Sequence, residues 1–209
     1  MGSNVFGNPI TTATLEAMPE YIGKVITRTD RAHVALNMKN AEGKDVNARK
    51  FVENLKERYG NGVSTLCLIY NATGDTLKHV GYHDWRGHIG ESPYPNEIAN
   101  GQWGAYLHVK TSGAATGSIA ATVYRGKNET GKDCDWMLSW YNPWSGKNRV
   151  YTEIREGHHY EEDHWDYIYN ILSNKGLSYT DTWNGCISTV TTGVSTSPIF
   201  EGIMKLVGA

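Results

Sequence analysis

The chain has 209 residues, enough for one domain, with or without a terminal extension, and a sizeable core. Its 20 Lys plus Arg against 22 Asp plus Glu give a formal net charge of −2, which excludes a whole-chain electrostatic footprint for nucleic acid or an anionic membrane and leaves room only for a local basic patch. With 39% hydrophobic and 20% charged residues the composition is globular, and it is aromatic in an amphipathic way, with 7 Trp and 13 Tyr against 3 Phe.

Residues 1–44 read as an extension laid on a main domain of residues 45–209. Asn8-Pro9 and Pro19 punctuate it, and Thr29-Asp30-Arg31-Ala32 starts a short helix running to about Asn40. From Asp45 to Tyr59, Ala48, Phe51, Val52, Leu55 and Tyr59 recur at helical spacing behind a charged face; Asp45 is the expected N-cap and Gly60-Asn61-Gly62 the stop. Strands are then expected at Val63–Tyr70, Thr76–Tyr82, Trp103–Lys110, Gly117–Tyr124, Trp136–Tyr141 and Arg149–Arg155, each closed by Gly, Pro, Asn or Asp. The turn Asn71-Ala-Thr-Gly74 pairs the first two as a hairpin. A second helix spans Tyr160–Ser173, with Trp165, Ile168, Tyr169 and Leu172 on one face, before two last strands at Gly185–Gly193 and Ile199–Val207. The fold class is mainly β, a sandwich with two flanking helices.

Cys67, Cys134 and Cys186 form no CxxC pair and read as reduced core thiols. The N-terminus carries no basic segment followed by an apolar one, and no later run reaches membrane-span length, so a cytoplasmic or nucleocytoplasmic protein is expected, with the sequons at Asn71 and Asn128 unused. Gly2 follows Met1, but Phe6 stands where a myristoylation signal has Ser or Thr.

Two histidine groups invite a metal reading: His79, His83 and His88, and then His158, His159 and His164 beside Glu161 and Glu162. Imidazole and carboxylate can hold zinc or copper, yet no HExxH spacing accompanies them. No GxSxG elbow and no phosphate-cradling loop occurs, and Ser118 lies inside a strand. No cofactor is implied. The aromatic run is more informative. Trp136, Trp140, Tyr141, Pro143 and Trp144 crowd nine residues and cannot all face one side of a strand, so some are exposed, where such rings stack on sugars, cradle cations or rest in a membrane interface.

The stretches HDWRGHIGESPYP, NGQWGAYLHVK, GAATGSIAATVYRG, CDWMLSWYNPW and NRVYTEIREGHHY resemble the small jasmonate-induced proteins of plants over nearly the whole chain. That resemblance implies a stress- or hormone-responsive plant protein. Residues 63–207 are more distantly similar to actinoporins and fungal fruit-body lectins, which implies an actinoporin-like β-sandwich with a head-group or sugar site between the Tyr141–Trp144 loop and the second helix. The residues carried over are Tyr141, Pro143, Trp165 and Tyr169, with Trp144 adjacent; Asn170 stands where the actinoporin pattern has a tyrosine, and the loop after Pro143 is shorter. The expected function is non-enzymatic recognition of a carbohydrate or lipid head group, with peripheral membrane contact and no nucleic acid. A membrane-active, actinoporin-like defence protein and a histidine-metal enzyme are the alternatives; against pores, residues 1–44 precede the amphipathic helix that would have to be released.

Overall fold

The computed structural model describes residues 4–209; Met1 to Ser3, which hold the glycine of the myristoylation pattern and begin the 1–44 extension, lie outside them. Among the described residues the chain forms a seven-stranded and a five-stranded sheet. The larger sheet runs β1 (Val5–Phe6), β6 (Trp103–Val109), β2 (Ser64–Ala72), β12 (Ile199–Leu206), β11 (Cys186–Thr192) and β10 (Ser178–Trp183), with β4 (His88–Ile89) added on β6. The smaller runs β5 (Glu97–Ile98), β3 (Leu77–Arg86), β7 (Ser118–Lys127), β8 (Asp133–Asn142) and β9 (Arg149–Glu156).

The expected hairpin of the first two strands does not form. β2 lies parallel to β12, with Ile199 opposite Leu66, and antiparallel to β6, while β3 belongs to the other sheet. The physical reason is that β2 is apolar on both faces and buried along its whole length, which requires a central position covered on both sides. Its turn therefore changes sheets, as does the link from β6 to β7. β7, β8 and β9 form the expected meander, and β10, β11 and β12 form a second one in the larger sheet. β10 escaped the sequence reading because SYTDTW alternates exposed and half-buried residues at a sheet edge, with little apolar signal.

Cys67, Ile69, Tyr106, Trp136, Leu138, Trp140, Phe200 and Met204 fill the space between the sheets. All three cysteines are free and buried. A second core lies on the outer face of the large sheet, where α1 (Thr12–Glu16), α2 (Arg28–Asn37) and α3 (Lys44–Tyr59) cover Leu66, Leu68, Tyr70, Trp103 and Leu107. Two caps differ from expectation. Thr27, not Thr29, caps α2 in a reciprocal box with Asp30 (3.2 and 2.8 Å), and the N-cap of α3 is Gly43, whose φ of 67° suits glycine, leaving Asp45 in the first turn. A third core places α4 (Trp165–Leu172) on the outer face of the small sheet. This helix begins later than Tyr160 because Tyr160 sits in a preceding single turn and buries its ring, its hydroxyl donating to Glu153 (2.9 Å).

The two sequons are turn devices. Asn71 Oδ1 accepts from the Thr73 amide (2.9 Å) and hydroxyl (2.8 Å), and Asn128 Oδ1 repeats the pattern with Thr130 (3.0 and 2.9 Å). Both asparagines are buried.

Candidate functional site

Strict alternation along β8 sends Trp136, Leu138 and Trp140 into the core and Met137 and Tyr141 onto the outer face, beneath α4. Tyr141 lies opposite Ile119 of β7 and Arg149 of β9. On β3 the register slips between Asp84 and Arg86, so Trp85 has no partner on β7, and it turns toward α4 instead. The helix answers with Trp165 and Tyr169 one turn apart.

The result is a half-buried aromatic wall. Tyr141 and Tyr169 have ring centroids 5.9 Å apart, Trp85 lies 5.5 Å from Tyr169 and 6.1 Å from Trp165, and His83 stacks on Trp165 at 4.8 Å. Burial lowers the His83 pKa even though Asp84, Asp163 and Asp166 pull it upward, so a neutral imidazole stacks there at neutral pH. Burial, and then the adjoining Tyr141 hydroxyl, raises the Tyr169 phenol pKa, while Arg86 works against both. The Arg149 guanidinium covers the Tyr141 ring at 5.8 Å and donates to the Ser173 carbonyl, tying β9 to the end of α4. The Trp85 indole N–H is buried and has no hydrogen-bond partner among the described residues.

Of the expected site residues, Tyr141, Trp165 and Tyr169 therefore come together. Pro143 sits at the turn, its Cα against Gly117, and reverses the chain. Trp144 leaves the group: it is 53% exposed, lies under Lys110 Nζ (5.7 Å) and lines a separate cleft of about 440 Å³ with Lys56, Asn61, Thr196 and Ser197. Sequence reasoning missed Trp85, Arg86 and Arg149, and considered His83 only as a metal ligand. The bulge that aims Trp85 is a matter of strand register, which no local pattern announces.

The histidine groups do not assemble as ligand sets. His79 stacks in the core on Tyr94 (4.8 Å), His83 on Trp165, and His88 bonds its neighbouring carbonyl. His158 joins a surface network in which Arg125 holds Asp135 through two bonds (2.7 and 3.0 Å) and reaches Glu161 (3.2 Å). His159 and His164 stack on each other at 4.2 Å. Among the described residues no three His, Cys, Asp or Glu side chains converge on a metal position.

One arrangement of catalytic type is present but enclosed. Ser118 Oγ lies 2.8 Å from His108 Nδ1, and His108 Nε2 lies 3.1 Å from Asp84. Both Ser118 and His108 are fully buried between the sheets, and Ser118 Oγ also meets the Trp140 indole N–H (3.2 Å) and the Thr65 hydroxyl (2.8 Å). With His108 Nε2 donating to the Asp84 carboxylate, Nδ1 is left to accept, which assigns a directed chain from Thr65 through Ser118 to His108 and Asp84; the Ser118 hydroxyl also lies 3.3 Å from the His108 carbonyl, and Asn142, 3.4 Å from Thr65, donates over shorter distances to the Ser64 and Thr196 carbonyls (3.0 and 3.2 Å). The hydroxyl is saturated and has no approach for a substrate, so this is a structural network. Burial lowers the His108 pKa, partly offset by Asp84, in keeping with the neutral ring that the chain requires.

The chain has relatives in sequence and in fold. Over 208 residues the chain is 51% identical to the 23 kDa jasmonate-induced protein of Hordeum vulgare, covering 98% of this chain and 99% of that one. It is 26% identical over 174 residues to a jasmonate-induced protein homologue of Atriplex canescens, covering 78% and 93%. The crystal structure of the lipid-binding protein Nakanori superposes with a TM-score of 0.88 at 32% identity, over 96% of this chain and 99% of that one. The Nakanori-like protein family model matches residues 6–207, and the chain belongs to that family.

Proposed function

We propose that this protein is a non-enzymatic recognition module for a lipid head group, in the setting of the jasmonate response, and that its site is the wall formed by Tyr141, Trp165, Tyr169 and Trp85. The observation that carries the reading is chemical. Half-buried aromatic faces and two phenol hydroxyls stand beside Arg86 and Arg149, a set that offers stacking, hydrogen bonds and positive charge to a phosphate-bearing group. The lipid-binding description of the structurally similar Nakanori supports the same ligand class. Because Arg149 already occupies the cation position over Tyr141, a phosphate fits this wall better than a quaternary ammonium placed on that ring. A sugar is the ligand that the Trp144 cleft favours, since it sets an exposed indole beside Asn61, Thr196 and Ser197.

The test is co-sedimentation of the purified chain with vesicles of single head-group classes, beside a glycan array, repeated with Tyr141→Ala, Tyr169→Ala and Trp144→Ala. Loss of an aromatic anchor is expected to weaken lipid binding by about 1–2 kcal/mol, roughly 5- to 30-fold. Unchanged lipid binding by folded Tyr141→Ala and Tyr169→Ala proteins sinks the site, and leakage of vesicle contents would favour the membrane-active alternative.

A further inference from the structure

The two ends of the sandwich differ sharply in charge. At the end where β8 finishes, five connections meet, residues 60–63, 110–117, 143–148, 173–177 and 193–198, and none contains Asp or Glu. They carry Lys110, Lys147 and Lys175, with Arg149 immediately after and Arg86 closing β3 beside them. At the opposite end, the connections 73–76, 128–132 and 157–164 carry Asp75, Glu129, Glu161, Glu162 and Asp163 against Lys132, with Arg28 and Arg31 paired to Asp75, Arg125 to Glu161 and, on the flanking strands, Lys127 to Asp133. A chain of net charge −2 is thus polarised along its strands.

The basic end is also apolar at its tip. Val194 is 83% exposed and Leu177 is 40% exposed, and both line a groove of about 540 Å³ with Lys147, Arg149 and Lys175. The loops are held as one surface: Asn148 donates to the carbonyls of Gly193 (2.9 Å) and Ser195 (2.8 Å), and the Val150 amide to Gly176 (2.9 Å). Among the described residues no carboxylate lies within ion-pair distance of Lys110, Lys147, Lys175 or Arg149; Lys175 Nζ lies over the Tyr179 ring (4.3 Å), Lys110 Nζ donates to the Thr111 and Ala114 carbonyls (3.2 and 3.0 Å), and Arg149 covers Tyr141 and donates to Ser173. Glu91, the carboxylate in the adjoining 90–96 segment, is ion-paired with Arg58 at 2.9 Å.

We propose that this end is a docking face for a negatively charged bilayer, with Val194 and Leu177 entering the head-group layer and Lys147, Lys175 and Arg149 lying over anionic lipid. The occupant follows from the combination. Aliphatic tips surrounded by lysines suit a lipid interface, whereas a nucleic acid has no apolar layer to receive them. The inference rests on the lipid reading above and adds to it the sign of the surface charge. It also gives an orientation, since Tyr141 stands one residue before the end of β8 at that same end.

The experiment is co-sedimentation of the full chain with phosphatidylcholine vesicles, with and without phosphatidylserine, across a salt series. Lys147 and Val194 are exposed with no polar partner to lose, so Lys147→Glu/Val194→Asp tests the face with little risk to folding. Lys132→Glu, at the opposite end, makes a control for charge reversal. Phosphatidylserine is expected to tighten binding, salt to weaken it, and the double variant to lose at least about tenfold while Lys132→Glu loses less than about twofold. Equal binding to both vesicle types, or equal loss in Lys132→Glu, overturns the docking face and leaves the head-group site standing. No binding to either vesicle type, with folding verified, overturns the docking face, and the series of single head-group vesicles then decides the head-group site separately.

Discussion

Ser118→Ala tests whether the Ser118–His108–Asp84 chain is structural. Removing one oxygen leaves the Trp140 indole N–H, the Thr65 hydroxyl and the His108 Nδ1 without the atom they share at 3.2, 2.8 and 2.8 Å. Trp140 is 1% exposed and the other two are fully buried, so water cannot take the oxygen's place without entering the core. Each orphaned buried group costs about 1–3 kcal/mol; allowing for Thr65 turning to another acceptor, the expected loss is about 2–4 kcal/mol. For a domain of this size that lowers Tm by roughly 5–15 °C. Urea and thermal unfolding, followed by tryptophan fluorescence, read it directly. A loss below about 0.5 kcal/mol would refute the directed chain and reopen Ser118 as a group held free for chemistry.

Two further predictions follow from the cores. Burial depresses the pKa values of His108, His79 and His83, so the unfolded chain takes up protons near its ordinary value of about 6.5 while the folded chain does not. Their contribution is complete above that pH and is lost as pH falls through it toward the folded values, by up to about 1.4 kcal/mol per pH unit for the enclosed His108 and by less for the more exposed His79 and His83; urea midpoints that stay flat or rise between about pH 7 and about pH 5 would contradict this. Deleting residues 1–43 uncovers Tyr70 and Trp103, whose polar atoms bond the Ala35 carbonyl (2.5 Å) and the Lys39 carbonyl (3.0 Å). The shortened chain is expected to bind a hydrophobic dye and lose cooperative melting, and an unchanged melt would make the extension dispensable.

The sequence by itself determined most of the elements and little of their partnership. The stripe of Ala48, Val52 and Leu55 marked α3, and alternation from Trp136 to Tyr141 marked β8, because a helix or strand that buries one face writes its period into the chain. The same alternation placed Tyr141 on the face opposite Trp140, and the stripe of α4 carried Trp165 and Tyr169. Which sheet a strand joins is not a local property. The turn after β2 looks like a hairpin turn, and only the need to cover β2 on both faces sends β3 to the other sheet. The bulge that aims Trp85, the reversal at Pro143 that parts Trp144 from Tyr141, and the meeting of five acid-free loops at one end were decided by tertiary structure. Each depends on segments far apart in sequence, and their contact energies have no trace in any single window of residues.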